Sequence, residues 1–129
     1  MSMHPAAASI ALMLFDPNKR SKSDFQQKGY EKYIIAAKRT VDKLDKIVEN
    51  SEDKNLRYRI NPKTLYDEIG IKKIGLSEGS YHLTIQALLI GSGLDLDIRR
   101  TTSKGGRSGY WLNLSPYVIL QFKQRLNIL

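Results

Sequence analysis

Apolar residues recur every three or four positions between Tyr30 and Asn50, at Tyr33, Ile34, Ala37, Val41, Leu44, Ile47 and Val48. That spacing puts them in one stripe and predicts a long amphipathic α-helix. Its other faces carry Lys32, Lys38, Arg39, Lys43 and Lys46 among Asp42, Asp45 and Glu49, so much of the charge can pair locally on a solvated face. Upstream, Ala6 to Phe15 is apolar nearly all round, opened by Pro5 and stopped by Asp16-Pro17, the pattern of a short helix. A helix of that length is marginal alone and has no polar face to show water. It needs cover, either from its own core or from a second copy of the chain. The connecting "NKRSKSDFQQKG" is polar and basic and reads as a linker.

After "SEDKN", the run "LRYRI" alternates apolar and basic residues from Leu56 to Ile60, as a short strand does. In "NPKTLYDEIG", Asn61 caps a second helix, Pro62 takes its first position and Gly70 stops it. Beyond the turn "IKKIGL", Ser77 opens a third helix that ends at Gly91 and Gly93, with Tyr81, Ile85, Leu88 and Leu89 on its inner face. Leu83 and Ile90 lie roughly opposite that face, so the third helix is apolar on two sides. Leu94, Leu96 and Ile98 then alternate with Asp95, Asp97 and Arg99, which predicts a half-buried strand. "SKGGRSG" turns it, "YWLNL" returns antiparallel, and Ser115-Pro116 caps a last helix with Ile119, Phe122, Leu126 and Leu129 in its stripe.

At 129 residues the chain fits one domain with extensions. With 41% hydrophobic and 26% charged residues it has a folded protein's composition. The absence of cysteine excludes disulfides and thiolate metal sites. No apolar run approaches the roughly 20 residues of a membrane span, and "MSMH" lacks the cations of a secretory leader, so a cytoplasmic protein is expected. Against 13 acids stand 21 lysines and arginines, a formal net charge of +8, which favours a polyanionic partner.

The charge is uneven. Beyond Asp97 come Arg99, Arg100, Lys104, Arg107, Lys123 and Arg125 and no acid. Four of these cations surround a glycine-rich tip in "IRRTTSKGGRSGYWL", where Gly105, Gly106 and Gly109 permit a tight turn and a close approach to a phosphate backbone. Helix, short strand, short helix, turn, helix and basic hairpin, carried by "NPKTLYDEIG", "LSEGSYHLTIQALLIGSGL" and "LDIRRTTSKGGRSGYWLNL", make the chain from about Tyr30 to Leu114 resemble the winged helix-turn-helix superfamily. The resemblance implies a mainly α fold with a small antiparallel β-hairpin, extended by an N-terminal helix and basic linker (1–29) and a C-terminal helix (115–129) around a DNA-binding domain (30–114). It implies a double-stranded DNA binder whose third helix enters the major groove and whose wing reaches phosphates or the minor groove.

On that reading the wing residues are Arg99, Arg100, Lys104, Gly105, Gly106 and Arg107. Ser77, Ser80, His82 and Gln86 are the polar candidates on the third helix, Gln86 being able to pair bidentately with adenine. Lys63, Lys72 and Lys73 are weaker phosphate candidates. A homodimer through one or both terminal helices would suit a two-fold related site, and regulation of transcription is the larger class of use. A plasmid or viral partition or replication factor uses the same parts, and a winged-helix module that binds a protein partner is the alternative from another class. Single-stranded or RNA binding would want exposed aromatics on a basic sheet; Trp111 or Tyr110 could serve, though one of the two must be core. His4 and His82 are far apart with no acid at ligand spacing, so no metal is expected. No nucleophile, base and oxyanion donor assemble, so neither an enzyme nor a cofactor is expected.

Overall fold

The stripe on the long helix is a surface against which three other helices pack. The computed structural model describes residues 3–16, 24–102 and 108–127. In chain order these form α1 (Pro5–Phe15), α2 (Asp24–Asn50), β1 (Leu56–Ile60), α3 (Pro62–Glu68), a 3-10 turn (Ile71–Ile74), α4 (Glu78–Gly91), β2 (Arg99–Thr102), β3 (Ser108–Leu114) and α5 (Pro116–Arg125). The result is a mainly helical protein with one small antiparallel sheet. No helix among the described residues is long and apolar enough to cross a membrane.

The caps are those the sequence predicts. The Asn61 side chain accepts from the Lys63 and Thr64 amides, the Ser77 hydroxyl from Ser80 N, and the Ser115 hydroxyl from Val118 N, each satisfying amides that a first helical turn leaves without partners. Pro62 and Pro116 open their helices where no amide hydrogen is needed. α2 begins at Asp24, ahead of the expected Tyr30. It buries Ala36, Ala37, Val41, Leu44 and Val48 and packs against α5, α4 and α1. Thr40 is buried in the same stripe; its hydroxyl bonds Ala36 O at 2.8 Å and meets the buried Tyr81 hydroxyl of α4 at 2.6 Å. Burial drives the Tyr81 phenol well above its ordinary pKa, and the Thr40 contact supplies the partner a buried hydroxyl requires.

Two expectations about the strands change. The sheet has three strands in the order β1-β3-β2, so "LRYRI" closes on the hairpin as its third member, with Arg59 opposite Trp111 and Ile60 opposite Tyr110. The strand expected from Leu94 starts only at Arg99. Leu96 is buried and its carbonyl accepts from Asn113 N, but Asp97 adopts a left-handed backbone conformation, φ 48°, that breaks the ladder. The alternation of Leu94, Leu96 and Ile98 therefore belongs to an extended connection. Asp95 and Asp97 do not share a strand face; Asp97 lies 3.6 Å from the Arg57 guanidinium, which also donates to the Asp97 carbonyl.

α1 finds its cover inside the chain. Ala7, Ile10, Ala11, Met13 and Leu14 are buried, chiefly against α4 and with help from α2. Burial of Ile10, Met13 and Leu14, at about 1.5–3 kcal/mol each, outweighs the weakness of a short helix on its own. The crossing point is Gly91, where a Cβ would lie 2.5 Å from the Ala11 Cβ. Gly91 thus stops α4 and lets α1 approach its backbone.

Gly91→Ala should lower stability by about 1–3 kcal/mol, the usual cost of overpacking, read from chemical unfolding. Ala11→Gly carries its own helix-propensity penalty of about 1 kcal/mol, yet in the double variant the two losses should fall short of additivity, because the Ala11 methyl that the new methyl at position 91 would strike is gone. Strictly additive losses would mean the helices do not cross there.

Candidate nucleic-acid interface

The predicted groups separate into three sets. Arg99 and Arg100 stand on β2 with exposed side chains. Arg100 donates to the Ser108 hydroxyl and lies 5.9 Å above the Tyr110 ring, so it braces the base of the hairpin. Lys104, Gly105, Gly106 and Arg107 lie outside the described residues, as does the first half of the basic linker (18–23). On the first turn of α4, Ser77 is exposed as the cap and Ser80 is half-buried; their hydroxyls bond each other at 3.0 Å. Lys63 reaches Glu78 at 3.3 Å, an exposed pair of small energetic weight. Lys72 and Lys73 are exposed on the 3-10 turn.

The third set faces inward. Gln86 is 4% exposed, and its side-chain oxygen accepts from the His4 backbone amide at 2.8 Å. Its side-chain amide also lies beside the Tyr110 hydroxyl, which in turn meets His82 Nε2 at 2.7 Å. His4 caps α1 as well, its Nδ1 accepting from Ala6 N. The line His4–Gln86–Tyr110–His82 thus ties the start of α1, the side of α4 and β3 together. The His82 tautomer with a bare Nε2 lets the Tyr110 hydroxyl donate to a neutral ring, leaving the phenol oxygen open toward the Gln86 amide. Gln86 therefore presents no free edge to a base while α1 is in place, and His82 is occupied by Tyr110. The two apolar sides of α4 have the same explanation, one facing α2 and α3 and the other facing α1.

Two of the six cations beyond Asp97 are spent internally. Lys123 on α5 pairs with Asp45 of α2 at 2.6 Å. Arg125 donates to the Ser92 carbonyl, also at 2.6 Å, where a cation complements the negative end of α4. The unbalanced charge is therefore concentrated on the sheet and hairpin, where pairing brings up two arginines not counted among the candidates. Arg57 and Arg59 of β1 share the outer face with Trp111 and Asn113 of β3 and with Arg99 and Thr101 of β2. The alternation in "LRYRI" already placed both arginines on one side of a strand; the partner strand was missing. Of the two aromatic candidates, Tyr110 is core and Trp111 stands out at 38% exposure. Among the described residues no group of histidines and acids could hold a metal ion.

No protein-family model, curated protein or solved structure matches the chain, so the interface is defined by its own geometry.

Burial first, and the Arg100 guanidinium second, hold His82 below its ordinary value of 6.5. As pH falls, the unfolded chain takes up this proton before the folded one does. The stability that neutral His82 contributes is then fully present above about pH 6.5 and declines as pH falls from there toward the lower folded value. His82→Gln keeps a hydrogen-bonding side chain and removes the titration. Its unfolding free energy should fall less steeply than that of the parent just below pH 6.5. Identical slopes would contradict a neutral His82 in this line.

Proposed function

We propose that the chain is a double-stranded DNA-binding protein of the winged helix-turn-helix type, in which the β2–β3 hairpin carries the main contact and the body of α4 does not. The observation that carries the reading is the hairpin itself: Arg99 and Arg100 are exposed at its base, Lys104 and Arg107 follow in its tip, and no acid occurs in the sequence beyond Asp97. A one-signed, glycine-rich sequence joining two strands is suited to phosphates. Support for the architecture comes from the order α2, β1, α3, α4, β2, β3 and from the closure of β1 on β3. Ser77 and Ser80 on the first turn of α4 remain accessible beside it, whereas entry of the middle of α4 into a groove would require α1 to leave.

A homodimer belongs to the same proposal. Leu12 on α1 is 53% exposed, and Tyr117 and Leu120 on α5 also face outward, leaving apolar surface on both terminal helices after the intrachain packing is complete. Transcriptional regulation is the use we favour, with DNA partition or replication the alternative built from the same parts.

Lys104→Ala/Arg107→Ala should weaken binding to all duplex sequences alike and flatten the dependence of log affinity on log salt by up to about two units, since each phosphate contact on B-DNA contributes about 0.9. Gel shift across a salt series checks this, and the stoichiometry of the shifted complex checks the dimer. Stability should hardly move, because a hairpin tip adds little to the core. A variant that keeps its full affinity and slope would leave the hairpin a solvated turn and favour a protein-binding module.

A further inference from the structure

The outer face of the sheet holds an arrangement of which duplex binding by the hairpin uses only Arg99. Trp111 lies on the central strand, and its direct neighbours in register are Arg59 on one side and Arg99 on the other, with Cα atoms about 5 Å away across each strand pair. Arg59 does not project straight outward. Its Nε donates to the Thr101 hydroxyl on the far strand at 3.2 Å, so the side chain spans all three strands, and its guanidinium lies where a Cβ at position 109 would be. Any side chain at position 109 would displace the guanidinium from this place. The result is a flat guanidinium fixed beside an exposed indole, with Arg99 opposite. Among the described residues the guanidinium over an aromatic ring is that of Arg100 above the buried Tyr110, so no cation caps the face of Trp111. The nearest acid on this side, Asp97, is already paired with Arg57.

These features suit one kind of ligand. A flat π-surface is what an unpaired base stacks on, a fixed guanidinium plane adds a second stacking or phosphate-binding surface, and uncompensated arginines match the backbone charge. The indole is the one large apolar side chain exposed on this face, too little for an apolar peptide or a lipid surface. Bases in a duplex are stacked on one another and present no free face to a flat sheet. We propose that the outer face of the sheet binds single-stranded nucleic acid, with an unpaired base stacked on Trp111 and its flanking phosphates on Arg59 and Arg99. The site shares Arg99 with the winged-helix reading but needs neither the hairpin tip nor α4, so the two can fail separately.

Trp111 is the sole tryptophan of the chain, so the intrinsic fluorescence of the full-length protein reports on this face directly. Titration with a fifteen-residue oligothymidine should quench it, and the midpoint should rise with salt by about 0.7 in log affinity per log salt for each phosphate contact. Heparin, which has charge but no bases, and a blunt duplex of the same length should leave the emission nearly unchanged. Followed by anisotropy of a labelled oligothymidine, Trp111→Ala should bind about 5- to 150-fold more weakly, the range found when one stacking aromatic is removed. Arg99→Ala, at an exposed strand position, should instead reduce the salt slope by about 0.7; it keeps the test open if the tryptophan variant folds poorly. Lys104→Ala/Arg107→Ala should leave the oligothymidine midpoint in place, which separates failure of this site from failure of the duplex reading. Equal quenching by heparin or duplex, no quenching by oligothymidine, or unchanged affinity in both Trp111→Ala and Arg99→Ala would overturn the proposal.

Discussion

The packing of α1 across α4 is the constraint on which the remaining arrangement depends. α4 is apolar on two sides, and a helix of that kind has to be buried on two sides. α2 and α3 cover one side through Tyr81, Ile85 and Leu88, and α1 covers the other. Gly91 makes the second contact close by removing the side chain that would meet Ala11. His4, Gln86, Tyr110 and His82 then satisfy the polar atoms trapped beside it. Among the described residues no buried side-chain nitrogen or oxygen is left without a hydrogen-bond partner, as a settled interior requires.

That constraint decides where the protein can meet a polyanion. With α4 enclosed, the proposed contact surface is its first turn, the hairpin and the outer face of the sheet, along with the exposed Lys72 and Lys73. The distribution of charge follows the same division. Lys123 and Arg125 are drawn into α5's contacts with Asp45 and Ser92, while Arg57, Arg59, Arg99 and Arg100 gather on strands. Chain order alone makes Arg125 and Arg99 look equivalent; packing gives one to a helix end and the other to solvent.

Much of this was legible in the sequence, and the part that was not has a common cause. Helix existence, caps and stops follow from local chemistry, so Asn61, Ser77 and Ser115 could be assigned as caps from their neighbours alone. The doubled apolar face of α4 was equally visible, but the identity of its second cover was not, because periodicity reports that a face is buried and not what buries it. Gln86 shows the consequence: a polar residue on that helix looks like a base reader until α1 is laid across it. The stretch Leu94–Ile98 shows a second limit, since alternation is a property of any extended chain and the ladder was broken by a backbone angle at Asp97. Arg57 and Arg59 show a third. Their shared face could be read from a period of two, but their position beside Trp111 depends on which strand pairs with which, a fact of topology and register.

The central claim is that α1 stays docked on α4 while the sheet and hairpin meet nucleic acid. Amide chemical shifts of the isotopically labelled full-length protein, followed by NMR during titration with duplex DNA and with oligothymidine, test it most directly. The account predicts changes at Arg59, Arg99 to Thr102, Ser108 to Trp111 and the first turn of α4, with Ile10, Ala11, Leu83, Gln86 and Ile90 nearly unmoved. Large shifts centred on Gln86, Leu83 and Ile90, together with loss of the helical shifts of α1, would contradict it and show a third helix released to read the groove.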